Sequence, residues 1–271
     1  MFQPLWTLLP QLDMSAFRWV HAPRCAVCGI LLRRYVRPLV SIHNQLEVWP
    51  RTEEYNGNQP LIHVKSRDPD TWKQLVNDFL KEYRQKDSGS GENPGAKNRV
   101  HCSFSTGPVG EKQVCDVQLD EFHPCVYQDN YKHSGLCVYL KLNKILDWKP
   151  QPYNNTEALP EAMPADLKQH IRIVSGKPEA NTVWVSCEGE NPADVENIGP
   201  VQYIPRRGFP AYYYPFTNKK GYLSPLVAVL FERPKTGVLI NIECKAWTKN
   251  IIYDSNEQHG SVRFGLLVDP N

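Results

Sequence analysis

No run of eighteen or more apolar residues occurs in this 271-residue chain, so the sequence as written offers no membrane-crossing helix. The best candidate, residues 25–32, is short and is followed by Arg33, Arg34 and Arg37. The first ten residues are apolar, but they lack the basic start and small-residue cleavage site of a secretory signal. An excess of one charge is missing as well. The 31 basic and 29 acidic residues leave a net charge of +2, which gives no electrostatic reason to expect a nucleic-acid partner. Catalytic signatures are also absent: there is no G-x-S-x-G, no Walker loop, no H-E-x-x-H and no G-x-G-x-x-G. The Gly-Ser-Gly run at 89–91 opens no helix and makes a poor phosphate cradle. Carboxylates such as Asp120 and Glu121 read as turn residues, and the eight histidines cluster only loosely. The expectation is a protein with no enzymatic activity, cofactor, metal or small-molecule substrate.

What is present leans toward strands. The 23 prolines and 13 tyrosines favour turns and extended chain, and 41 % apolar residues allow a sizeable core. Residues 1–57 show no sustained period and read as an irregular N-terminal segment. Residues 58–99 hold one helix and a linker. In the helix, Trp72, Leu75, Val76, Phe79, Leu80 and Tyr83 share a face at helical spacing. Asp68 can cap it, and Pro69 suits its first position. The Gly/Ser/Asn/Pro stretch over 86–99 follows as the linker.

From residue 100 to 271 the reading is β. Cys115, Val117 and Leu119 share one face of the segment 114–120, and Leu136, Val138, Leu140 and Leu142 share one face of the segment 136–146. The same alternation recurs at Val183, Val185 and Cys187, at Val238, Ile240, Ile242 and Cys244, and at Val262, Phe264, Leu266 and Val268. The segment 225–231 is apolar on both faces, as a central strand would be. Six such strands predict a mainly β sandwich with the amphipathic helix packed beside it. Residues 151–182 are Pro-rich and polar and read as a long excursion from the sandwich.

Eight cysteines carry further information. Cys25 and Cys28 form a C-x-x-C pair near the N-terminus, and the other six, Cys102, Cys115, Cys125, Cys137, Cys187 and Cys244, are an even set that points to disulfides and an oxidising compartment. Six cysteines allow fifteen pairings. Cys187 and Cys244 lie on apolar strand faces, where a bridge between packed sheets would sit, and closing that loop is worth roughly 4 kcal/mol in the chain-entropy model. Cys102–Cys115 and Cys125–Cys137 would close short loops, each worth on the order of 3 kcal/mol. The rival is zinc, with His101, His123 and His133 nearby, but the cysteine gaps are longer than those of zinc knuckles.

One stretch is unusually aromatic. AYYYPFTNKKGYLSPLVAVLF, from Ala211 to Phe231, places Tyr212, Tyr213, Tyr214, Pro215 and Phe216 in one run before an apolar strand. This run, together with CVYLKLNKILDWKPQPY (137–153), IECKAWTKNIIYDSNEQHGSVRFGLLVD (242–269) and RDPDTWKQLVNDFLKEY (67–83), resembles the β subunits of the Na+/K+- and H+/K+-transporting P-type ATPases, most closely that of the sodium pump. The resemblance covers about residues 59–269. It implies an immunoglobulin-like sandwich ectodomain and the pairing 102–115, 125–137 and 187–244. It also implies a non-catalytic role: binding the catalytic α subunit, targeting it to the plasma membrane and modulating cation transport. The family are single-pass type II membrane glycoproteins with the ectodomain on the extracellular face, and residues 1–57 show no spanning helix to match. The resemblance assigns the partner interface to Tyr212, Tyr213, Tyr214, Pro215 and Phe216, with Tyr222 and Leu223 beside them. Asn154, in the sole N-x-S/T sequon, is the expected glycosylation site. The competing expectation is a pump-independent extracellular adhesion or secreted module.

Overall fold

Alternating apolar segments bury one face each by pairing edge to edge and then stacking, and the chain does both. The computed structural model describes residues 46–55, 59–65, 67–84, 95–107, 110–126, 135–251 and 259–270. In chain order the elements are β1 (Leu46–Trp49), β2 (Glu53–Tyr55), β3 (Gln59–Val64), α1 (Pro69–Arg84), β4 (Arg99–Val100), β5 (Val114–Cys115) and β6 (Leu136–Leu142). There follow α2 (Ala165–Val174), β7 (Thr182–Gly189), α3 (Pro192–Asn197), β8 (Val201–Ile204), β9 (Gly208–Pro210), β10 (Leu226–Phe231), β11 (Leu239–Trp247) and β12 (Ser261–Val268). One sheet has the order β1-β6-β10-β8 and the other β2-β3-β12-β11-β7-β9, while β4 and β5 form a small separate pair.

The register explains the core. Val48 and Val227 both lie opposite Leu140, and Val229 lies opposite Val138, so these residues share the inner face of the four-stranded sheet. On the six-stranded sheet, Ile242 opposes Phe264 and Ala246 opposes Val185. These two inner faces meet in one core, where Phe231 approaches Phe264 with ring centroids 6.4 Å apart. The result is a β-sandwich.

The outer face of the four-stranded sheet is covered by α1. Trp72, Val76, Leu80 and Tyr83 are buried, and the half-buried Phe79 stacks on Trp49 of β1 and tilts against Tyr139 of β6. Asp68 caps the helix by accepting the Thr71 N–H, with Pro69 as its first residue. The Tyr83 hydroxyl donates to the Ser224 carbonyl at 3.1 Å, tying the end of α1 to the strand that follows the aromatic run.

The structure differs from the sequence expectation in four places. Within the segment read as irregular, residues 46–49 and 53–55 are strands that extend one edge of each sheet. The strand expected over 114–120 is only β5, followed by a 3-10 turn over Leu119–Phe122. The excursion over 151–182 contains α2, whose Leu167 and Ile171 bury against Trp184 and Trp247 on the outer face of the six-stranded sheet. Finally, Cys187 and Cys244 do not bridge the two sheets. They are direct cross-strand partners on β7 and β11 of one sheet, with Cα atoms 4.0 Å apart. Both side chains do point inward, but from neighbouring strands.

The other two bridges join Cys102 to Cys115 and Cys125 to Cys137, with Cα separations of 5.4 and 5.5 Å. All six cysteines are therefore consumed, leaving no thiolate among them for zinc. Cys25, Cys28 and His133 lie outside the described residues.

Candidate partner-facing surface

After β9 the chain turns through a short 3-10 segment, Ala211–Tyr213, and the aromatic run begins. The tight turn sends successive rings in different directions. Tyr212 sets its ring edge-on to Phe104 at 5.3 Å and tilts against Tyr213 at 4.7 Å. Tyr213 turns inward and donates its hydroxyl to the Asp116 carbonyl at 2.9 Å, which ties the run to the loop beside the Cys102–Cys115 bridge. Tyr214 meets Trp148 edge-on at 5.3 Å, and its hydroxyl is buried without a hydrogen-bond partner among the described residues. Burial pushes the Tyr213 and Tyr214 hydroxyls well above the usual phenol range, so both stay neutral.

The chain then returns outward. Phe216 packs on Tyr222 at 4.9 Å, and the Lys144 ammonium sits 5.9 Å from each ring. The Asp147 N–H donates to the Phe216 carbonyl at 2.9 Å, bringing Leu146 alongside. Leu146 is 50 % exposed and adds apolar surface next to Phe216.

The seven residues singled out in the sequence thus divide. Tyr212, Pro215, Phe216 and Tyr222 are half-buried, with Phe216 and Tyr222 packed together and Tyr212 set against Phe104. Tyr213 and Tyr214 pack against the main core. Leu223 is 1 % exposed and is a core residue, not a contact for another chain, because it enters the sandwich just ahead of β10. Sequence reasoning missed Lys144, Leu146 and Trp148. Their signal was an apolar pair, Ile145 and Leu146, continuing past the end of β6.

Gly221 holds the turn in place. Its φ is +91°, and a Cβ there would lie 2.1 Å from the Gly95 carbonyl oxygen. Arg99 donates through Nε to the Gly221 carbonyl and Asn98 donates to that of Lys220, so the segment before β4 is laced to the aromatic turn.

Elsewhere on the molecule, Asn154 and Thr156 are both exposed at a bend, while the intervening Asn155 is half-buried. The preceding Tyr153 carbonyl accepts the Trp184 indole N–H at 2.9 Å. Among the described residues no group of three or more His, Cys, Asp or Glu is placed to hold a metal ion, and no helix is long and apolar enough to cross a membrane.

The comparisons with known proteins agree on one family. A family model described as "Sodium / potassium ATPase beta chain" matches residues 33–264. The chain is 50 % identical over 241 residues to the sodium/potassium-transporting ATPase subunit beta-2 of Drosophila melanogaster, covering 86 % of this chain and 73 % of that protein. It is 41 % identical over 210 residues to the beta-1 subunit of the same species, covering 76 % and 63 %. The human beta-2 subunit is 24 % identical over 239 residues. The match reaches upstream of the stretch whose resemblance is evident by eye, and takes in β1 and β2.

Proposed function

Since this chain belongs to the sodium/potassium ATPase beta chain family, we propose that it serves as the non-catalytic β subunit of a Na+/K+-transporting ATPase. The observation that carries the reading is the family match over residues 33–264, joined to 50 % identity with a β subunit over most of the chain. In this role it assembles with the catalytic α subunit, stabilises it, accompanies it to the plasma membrane and modulates cation transport. The sandwich lies on the extracellular side, as its three disulfides favour. Asn154 carries an N-linked glycan there, on an exposed bend.

The contact with α is made by Tyr212, Pro215, Phe216 and Tyr222, extended by Leu146. Tyrosine and phenylalanine suit such a surface because each buries a large area while ordering few torsions. Tyr213 and Tyr214 support these residues from beneath.

Co-expression tests the reading. An α subunit produced with this chain should reach the cell surface in greater amount and drive more potassium-analogue uptake than α alone. Unchanged surface α and unchanged uptake, with the chain folded and abundant, would refute it.

A further inference from the structure

Behind the aromatic turn the chain leaves a small cavity of about 190 Å³. It is enclosed by the chain that follows each half of the Cys102–Cys115 bridge, by the crossing over 205–210 that leads from β8 through β9, and by the turn itself. That volume is below the usual range of drug-sized pockets, so only a small molecule fits. The walls are rich in rings. Phe104, Phe122, Tyr212 and Tyr213 all line the cavity. Phe104 already receives one cation, since the Arg206 guanidinium lies 5.6 Å over its ring.

The charges on the walls do not balance. With the exposed His101 counted neutral, two carboxylates, Asp116 and Glu121, stand against one guanidinium, that of Arg206. Arg206 is answered by Glu121 at 3.2 Å. Asp116 accepts from Gln118 Nε2 on its Oδ2 at 3.1 Å, while its Oδ1 has no hydrogen-bond partner among the described residues. The carboxylate left over repels an anion and favours a cation. A metal ion fits poorly, because among the described residues no group of three or more His, Cys, Asp or Glu is placed to hold one. An alkylated ammonium ion needs no such ligand set. Its charge is spread over apolar C–H groups, which aromatic rings attract, and a single carboxylate neutralises it.

We propose that this cavity is a binding site for a small organic ammonium ion. Asp116 supplies the counter-charge, and Phe104 and its neighbouring tyrosines supply the rings. Tyr212 is shared with the surface assigned to α, so the test leaves it unchanged and is run without α.

The full chain is used with its disulfides intact. Choline and tetramethylammonium are titrated at constant ionic strength and followed by calorimetry and ligand-observed NMR. Dimethylbutanol, the uncharged isostere of choline, is titrated in parallel, as are acetate and potassium chloride. At least one of the two ammonium ions should bind with a Kd of about 1 mM or tighter, and at least about fivefold more tightly than dimethylbutanol. Asp116→Asn and Phe104→Leu should each weaken binding about fivefold or more. Asp116→Asn keeps the backbone carbonyl that Tyr213 uses, and thermal melting checks that both variants fold. Should either variant fail to fold, the comparison with dimethylbutanol decides, since it needs no substitution. Binding by neither ammonium ion, equal binding by dimethylbutanol, binding by acetate or potassium only, or affinity unchanged in the folded variants would overturn the proposal. Because α is absent throughout, such a failure leaves the β-subunit reading untouched.

Discussion

Tyr213 and Tyr214 are neighbours with opposite hydrogen-bonding states. The Tyr213 hydroxyl is paired with the Asp116 carbonyl, while that of Tyr214 is buried without a partner among the described residues. Removing a buried hydroxyl that has a partner strands the partner, whereas removing one without a partner relieves a desolvation cost. Tyr213→Phe should therefore destabilise by about 1 kcal/mol, and Tyr214→Phe should be neutral or stabilising. Denaturant midpoints of the two variants check this, and equal losses would contradict the assignment. Gly221→Ala should be far harsher, at about 2 kcal/mol or more, since it combines a strained φ with a Cβ 2.1 Å from a carbonyl oxygen. At this scale the sequence showed an aromatic run but could not sort it. Ring direction depends on a 3-10 turn whose geometry no alternation encodes, and the burial of Leu223 depends on where that turn releases the chain.

Among the elements that sequence reading passed over, α2 is the longest. Only two of its residues, Leu167 and Ile171, are buried, and the prolines before it read as loop. Two anchors four residues apart make a weak periodic signal, unlike the six-residue stripe of α1, which the sequence displayed plainly. The two anchors still matter, because they cover Trp184 and Trp247. Leu167→Ala should cost about 2–5 kcal/mol and shift tryptophan emission to the red as these indoles gain water.

The docking of α2 should also weaken in acid. Burial alone would raise the Asp166 pKa, but the hydrogen bond and charge of Arg207, with the Leu167 N–H, hold it below its usual 3.8. Burial, then Arg207, lowers the pKa of His170 below 6.5, against a smaller opposing pull from Asp166. Both groups have depressed folded pKa values, so the stability they supply is present above the unfolded values. It is lost as pH falls, first through His170 below about 6.5 and then through Asp166 below about 3.8. A tryptophan-monitored pH titration should show that order, and His170→Asn should remove the earlier phase.

The bridge between β7 and β11 carries a related lesson. Inward-facing cysteines on two strands look the same in sequence whether the strands oppose each other across the core or lie side by side. Register alone separates the cases, and here Cys187 pairs with Cys244 along one sheet. Its 57-residue separation still makes it the widest of the three loops, worth roughly 4 kcal/mol in the chain-entropy model. Replacing both cysteines with alanine should lower stability more than the same change at Cys102 and Cys115, as paired melts would show.

For the whole molecule, the sandwich was legible because every long strand repeats one apolar face, and the family was legible because several long motifs stand in order. The partner surface was legible only in part. Its aromatic half is a run in the sequence, whereas Lys144 and Leu146 join it through a backbone contact between residues some seventy positions apart. That shared surface gives the sharpest interface test. Phe216→Ala with Leu146→Ala should cut α assembly at least about tenfold while the melt stays near wild type, as expected for anchors at an interface.

The central claim is that this chain is a working β subunit, and the most direct measurement is co-purification. The chain and a sodium-pump α subunit are co-expressed, membranes are solubilised in mild detergent, and α is captured by a tag. The account predicts that the chain is recovered with α in stoichiometric amount. Recovery of the folded chain only from soluble extract or medium, and never with α, would contradict it.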